Sequence, residues 1–509
     1  MDSFIIAILG LAFQISLVLM SVAFKVFFVL VQLFVKLLVL LLNLAREQCG
    51  ARRTQVLAPG DRLSPHRLPE DLHDYRSLAS LSELRPTLGT GIVPLGRYLS
   101  ARGHTQDPLG LPDTFLQQHV VVIGPSGAGK SSNLMEPWAM ELLRQGSSVV
   151  MVDVKGELMA TLGDRARQSG YRVCYWDSSQ PERSDRWNWL AEIEQPRDVE
   201  AAVESILGRP KPNDPQPFFK DRDYRWLRTL ITVVTTVYGK QALPSDLNRL
   251  VADQSVLRRL FEQNPLIYSH LNDLLDLLQF STDEHSRAVS GLLNALHLFN
   301  LPQVRQISEA HSFNLRELDQ QPTLLIIGAS LADARTAETL SSLMLSQLFN
   351  QVYRRFERGV TGNLRPWYFL LDEAASIKDR VDLGKVLSVA RSAQVGICLA
   401  LQDVSQLGTE PEALPVLSNC HTAIVLRGCS AATAQYFASR LGQRHAQMVQ
   451  INRQRGPFDV LGQRGHQIQN TLMPVLSDRE IMHIPFRHYC AVVHVRDASA
   501  KPFLVDFTR

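Results

Sequence analysis

Apolar positions follow three different rhythms along this chain. The first is a nearly unbroken run, "FIIAILGLAFQISLVLMSVAFKVFFVLVQLFVKLLVLLL", from Phe4 to Leu42. As one helix it would reach roughly 58 Å, whereas a bilayer core needs about 30 Å. It is too long for the apolar part of a cleavable signal peptide, and no small-residue cleavage site follows it. The middle, "MSVAFKVFF", has no Gly, Pro or Asn on which to turn. One long helix is therefore predicted, with two poorly delimited spans as the alternative. Ser3, Gly10, Gln14, Ser21, Lys25, Gln32, Lys36 and Asn43 are spaced alternately by seven and four, which keeps them on one narrow helical face. Lysines at bilayer depth need protein, water or headgroups around them, so copies of the helix are expected to pack with this stripe inward. Asp2 precedes the run, and Arg46, Arg52 and Arg53 follow it. The positive-inside rule then places the rest of the chain in the cytoplasm, at the plasma (inner) membrane.

The second rhythm is short apolar runs alternating with helical periodicity. Residues 50 to 116 are rich in Pro, Gly and Arg and predict a linker leading into strand-and-turn structure. From Gln118 onward the order is strand ("HVVVIG"), loop, helix over about 130 to 145, strand ("SSVVMVDV"), helix and strand ("YRVCYWD"). Such alternation predicts a parallel α/β sheet. The third rhythm, from about 195 to 310, is purely helical, as in "YRWLRTLITVVTTVY" and "SHLNDLLDLLQF". Strand runs then resume at 322–329, 366–373, 395–402, 421–428 and 489–497, so the helices are inserted into a sheet that is split in sequence. The expected segments are a membrane helix over 1–45, a linker and strand-rich segment over 46–116, a nucleotide-binding domain in two parts over 117–194 and 311–509, and an all-α insertion over 195–310.

Composition narrows little. At 509 residues the chain exceeds one core's usual size, predicting two or three folded units. A formal charge of +3 argues for no nucleic acid by itself, so any basic surface must be local. The six cysteines show neither C-x-x-C pairs nor zinc-finger spacing and read as reduced, buried thiols of a reducing compartment.

Chemistry enters at "VVIGPSGAGKSS". Gly124, Pro125, Ser126, Gly127, Ala128, Gly129, Lys130 and Ser131 match G-x-x-x-x-G-K-S between a predicted strand and helix, with Ser132 following. Backbone amides of such a loop wrap phosphates, Lys130 reaches the β and γ oxygens, and Ser131 ligates Mg²⁺. Hydrolysis further needs a carboxylate near the metal and a base for water. "WYFLLDEAAS" supplies Asp372 for Mg²⁺ and Glu373 to orient the attacking water. Gln402 ends another apolar strand and can sense the γ-phosphate, if that strand runs parallel to the one before Asp372. Arg391, on the helix before it, is a candidate finger for a neighbouring subunit's nucleotide. "VDVKGEL" spells D-x-x-G, a GTPase switch signature, but the chain has no N-K-x-D guanine selector. Arg440 to His466 carries five arginines against the lone Asp459, a candidate loop for a DNA backbone.

These stretches, together with "RWNWLAEI", "PFFKDRDYRWLRTLI", "FNLPQVRQISEAHSFNLREL", "VLSNCHTAIVLRG" and "LMPVLSDREIMHIP", resemble in order the TraG/TraD-type coupling proteins of conjugation and type IV secretion. Those are relatives of the FtsK/HerA DNA pumps. The likeness runs from about Leu95 to Val505. It implies a hexameric ring of RecA-like P-loop ATPase domains with an all-α domain that chooses cargo, docked on a secretion channel by N-terminal helices. It also implies Walker A roles for Lys130 and Ser131, Walker B roles for Asp372 and Glu373, and nucleotide-sensing roles for Arg391 and Gln402. The expected activity is ATP hydrolysis with Mg²⁺ that drives DNA, single-stranded and linked to a relaxase-type protein, into the channel. Export of protein effectors, or an ATP-binding membrane adaptor without translocation, are the alternatives. The chain departs from the family pattern at Ala374, Asp403 and Asn188-Trp189, and it leaves no room for the external loop between two spans.

Overall fold

Seven short apolar strands lie side by side and parallel because each is buried on both faces and can continue only against another of its kind. In chain order the strands are β1 (Val93–Leu99), β2 (Thr105–Leu111), β3 (Val120–Ile123), β4 (Ser148–Asp153), β5 (Arg172–Trp176), β6 (Thr323–Gly328), β7 (Trp367–Leu371), β8 (Val395–Leu401), β9 (Thr422–Leu426), β10 (Gln443–Gln454), β11 (Gln463–Pro474), β12 (Cys490–Val495) and β13 (Phe503–Asp506). The computed structural model describes residues 10, 16, 19–20, 22–27, 29–37, 78–89, 91–100, 105–209, 217–330, 333–359, 364–378, 381–454, 463–484 and 489–508. Among these, one sheet runs β2-β1-β13-β12-β9-β3-β8-β7-β4-β6-β5. From β9 to β5 every pairing is parallel, whereas β2, β1, β13 and β12 extend the sheet antiparallel. The fold is thus α/β with a mostly parallel sheet, as the alternation predicts.

Register fixes what the sheet edge presents. Ile123 pairs with Leu401, and Leu371 pairs with Leu399. The loops after β3, β7 and β8 therefore leave from one edge. β8 lies between the other two. The interleaving runs through the sheet: among the described residues β3 pairs with β8 and β9, which follow the helical region in sequence, while β4 sits between β7 and β6.

Residues 196–308 contain only helices and turns among their described positions. The chain enters and leaves this region side by side, with Trp187 N–H donating to Ile307 C=O at 2.8 Å and Ser312 N–H to Arg186 C=O at 2.7 Å. At its edge the helix Pro196–Leu207 packs on the long helix Ala334–Arg358 around a fully buried carboxylate. Asp198 accepts from Arg354, from Asn350 Nδ2 at 3.0 Å, and from the amides of Glu194 and Gln195 at 2.9 and 2.8 Å. Both helices belong with the sheet to one compact unit, 75–442 and 475–509.

The second unit joins residues 1–74 with 443–474. Here the arginine-rich stretch expected as a loop is a β-hairpin, β10 and β11, in register from Gln443↔Pro474 to Gln454↔Gln463. Its first arginine, Arg440, is held instead by the larger unit, donating to Leu417 C=O at 2.9 Å and Cys420 C=O at 3.0 Å. Residues 22–27 and 29–37 are helical, with Phe24 and Phe34 about two-thirds exposed. Among the described residues no helix is long and apolar enough to cross a membrane. Ser3, Gln14, Ser21 and Asn43 of the polar stripe, and Arg46, Arg52 and Arg53, lie outside the described residues. The five described cysteines are buried thiols.

Candidate nucleotide site

The loop after β3 turns because two of its glycines adopt backbone angles that side chains resist. Gly127 and Gly129 have φ of 77° and 85°. A Cβ on Gly129 would also meet Asn133 Nδ2 at 2.5 Å and the Tyr489 ring at 3.0 Å. The chain then enters a π turn, Lys130–Met135, that continues as the α-helix Glu136–Arg144. A helical amino end aimed at a cleft is an anion site by its partial positive charge and its free amides.

That cleft encloses about 440 Å³ and collects the predicted residues from distant parts of the chain. Ser126 to Ser132 form one wall, Asp372, Glu373 and Gln402 another, and Lys155 and Glu157 of the loop after β4 a third. The Ser131 hydroxyl donates to the Asp372 carboxylate. Lys130 is only 8% exposed, and its ammonium donates to the carbonyls of Gly124 at 2.6 Å and Pro125 at 3.0 Å. Burial lowers the Lys130 pKa, against the opposing pull of Asp372 and Glu373. Glu373 accepts from Gln402 Nε2 at 3.2 Å, as the parallel strands β7 and β8 allow, and from Gln406 Nε2 at 3.3 Å.

Arg391 is exposed in a tight turn, Arg391–Ala393, that continues the helix Leu383–Ala390 and precedes β8. It stands at the opposite sheet edge from the cleft of its own chain. In the D-x-x-G stretch, already set aside as a GTPase switch, Asp153 is 3% exposed and accepts the amides of Lys155, Gly156, Glu157 and Leu158 at 3.2, 2.8, 3.3 and 2.8 Å. Burial raises its pKa against those four amides. Its oxygens are taken up by folding its own loop.

Sequence reasoning passed over Gln406, Lys155 and Tyr489. Gln406 has a signal, since Asp403 and Gln406 form a capping box around the turn Val404–Leu407. Lys155 sits near enough to Lys130 to lower its pKa further. Tyr489 reaches the cleft from near the far end of the chain.

The oxygen donors of Ser131 and Asp372, already directed at one another, suit a hard cation such as Mg²⁺. The glycine turn leaves room for phosphates, since a Cβ at Gly127 would meet nothing within 4 Å. The cleft can therefore hold a nucleoside triphosphate with its metal and place Glu373 beside it.

No curated protein matches the chain. Among solved structures, the bacterial conjugative coupling protein TrwB in an unbound form, TrwBdeltaN70, aligns with a TM-score of 0.62 and 18% identity over 85% of this chain and 92% of that one. The plasmid coupling protein TrwB with the non-hydrolysable GTP analogue GDPNP gives 0.61 and 18% over 84% and 92%. TrwB with ADP and Mg²⁺ gives 0.59 and 18% over 85% and 93%. These likenesses establish the fold. The family model of type IV secretory system conjugative DNA transfer matches residues 93–497. With the coupling-protein fold and a match over most of its length, the chain belongs to the conjugative DNA transfer family of the type IV secretory system.

Proposed function

We propose that the chain is an ATP hydrolase that recruits DNA, as a single strand linked to a relaxase-type protein, and pumps it into a type IV secretion channel. It acts as a homo-hexamer, anchored in the inner membrane by its N-terminal helix with the ATPase unit in the cytoplasm. The observation that carries this reading is the convergence of Lys130, Ser131, Asp372 and Glu373 in one cleft. Family membership supports DNA as cargo, and the exposed apolar helical residues 22–27 and 29–37 support the anchor.

TrwB, whose fold the chain shares, holds ADP and Mg²⁺ in a solved structure, and that ligand pair is carried over here. Ser131 and Asp372 would hold Mg²⁺, which supplies neutralising charge on the phosphate oxygens. Lys130 would exchange the carbonyls of Gly124 and Pro125 for the β and γ oxygens, regaining the counter-charge that burial denies it. Glu373 orients and deprotonates the attacking water. Gln402, bonded to Glu373 from the neighbouring strand, registers whether a γ-phosphate stands between them. Arg391 serves the cleft of an adjacent subunit, because its own lies across the sheet.

The test is ATP turnover by the full chain in lipid nanodiscs, with and without single-stranded DNA. DNA-stimulated turnover that Lys130→Ala abolishes is expected. Flat turnover by a monomer in both conditions would leave only an adaptor that binds ATP.

A further inference from the structure

Glu373 is held by amides on both of its oxygens, and the second holder, Gln406, has a double attachment. While Gln406 Nε2 donates to Glu373, its Oε1 accepts the amides of Gln402 at 2.7 Å and Asp403 at 3.3 Å. One side chain thus ties the carboxylate to the backbone where β8 ends. The next carboxylate, Asp403, accepts from the hydroxyls of Ser430 and, at 2.9 Å, Thr433. Thr433 Oγ1 in turn accepts the Val404 amide at 3.2 Å. Ser430 caps the helix Ala431–Leu441, taking the Thr433 amide at 3.1 Å. After that helix come Gly442 and the hairpin, and Gly442 C=O accepts the Val475 amide at 3.0 Å.

We propose that Gln406 is a positioning residue for hydrolysis, and that Gln406, Asp403 and Thr433 couple the water-orienting carboxylate to the helix Ala431–Leu441, which leads in sequence into the Gln443–Pro474 hairpin. The inference rests on the ATPase reading. Two lone-pair positions of Glu373 are taken by amides in this state. To turn toward a water it must release Gln406, whose oxygen stays bound to residues 402 and 403. The turn Val404–Leu407 is only four residues long, so movement at Gln406 reaches Asp403 and Val404 directly. Both are bonded to the first turn of the helix.

The test uses the full chain. Gln406→Glu keeps an oxygen for the two backbone amides but puts a carboxylate, not a donor, against Glu373. Its kcat should fall about tenfold or more, with KM and affinity for a non-hydrolysable ATP analogue within about twofold. In the wild type, analogue with Mg²⁺ should change amide hydrogen exchange at 404–407 and 431–441 by about threefold or more, whereas in Gln406→Glu the change should stay within 124–132. Thr433→Val, which keeps shape and removes the hydroxyl, should also lose the response at 431–441. Wild-type kcat in Gln406→Glu overturns the positioning role. Unchanged exchange at 431–441 in the analogue-bound wild type overturns the coupling. A wild type that binds the analogue but hydrolyses no ATP overturns the ATPase reading instead, and the exchange pattern still decides the coupling.

Discussion

The hydroxyl of Ser131 donates a hydrogen bond to the carboxylate of Asp372, 241 positions further along the chain. Nothing local brings them together. β3 and β7 flank β8 in register, so the residues just beyond their carboxyl ends meet over its tip. The phosphate loop and the acidic pair are therefore one site by topology.

Glu373→Gln should bind ATP with unchanged affinity and lose turnover by about 10²- to 10⁴-fold, the range for a lost general base. Asp372→Asn should instead weaken the Mg²⁺ dependence of binding. Titrating a fluorescent ATP analogue with and without Mg²⁺, beside steady-state turnover, separates the two. Normal hydrolysis in Glu373→Gln would remove it from the chemistry.

Arg391 stands across the sheet from its own cleft, so the finger role proposed for it is one made in trans. Arg391→Ala should bind nucleotide normally and lose turnover by about 10³-fold, the lower range for an arginine finger. Mixed with Lys130→Ala, which has an intact arginine and a disabled cleft, it should regain part of that activity. Additive, inactive mixtures would refute the role.

His119 is 2% exposed and anchors the start of β3. Its Nε2–H donates to Leu387 C=O at 2.9 Å and its Nδ1 accepts the Ile397 amide at 3.2 Å. Burial, with His421 and Arg391 adding to it, pushes its pKa down to about 4, although the bond to Leu387 opposes the shift. The unfolded chain binds the proton more readily, so this stability is complete above about pH 6.5 and lost as pH falls toward 4. Between pH 7 and pH 5 the wild type should lose about 2 kcal/mol more than His119→Gln in urea unfolding, on the order set by those two pKa values. Equal losses would place the titrating group elsewhere.

Arg354→Met removes the partner of a carboxylate that is 0% exposed. It should destabilise the fold by about 3–5 kcal/mol, as expected when one half of a buried pair remains. Adding Asp198→Asn should restore part of that loss. Calorimetric melting of the single and double variants measures it, and equal melting temperatures for wild type and Arg354→Met would refute the estimate.

How much of this was legible in the sequence depended on burial. The parallel strands were, because "VVVI", "VVMVD", "TLLIIG" and "GICLAL" are buried on both faces and carry no alternation to confuse with a helix. The hairpin was not, since "QRHAQMVQINRQ" is dominated by Gln, Arg and Asn and offers too few apolar positions to mark a strand. β1 and β2 were blurred by Pro94, Gly96, Pro108 and Gly110, residues tolerated near a sheet edge. Within the site, Lys130, Ser131, Asp372 and Glu373 announce themselves by spacing. Gln406 does not, because its partner Glu373 lies on another strand and only the fold brings them together.

The interleaved sheet also bears on how the polypeptide is made. On the ribosome, β3 emerges long before either of its neighbours, for β8 and β9 are translated after the entire helical region. Until they arrive, the glycine turn has no frame, and no strand holds Asp372 beside Ser131. A nascent chain arrested before residue 395 should thus be blind to ATP, and maturation of the nucleotide cleft must wait for the last quarter of the chain.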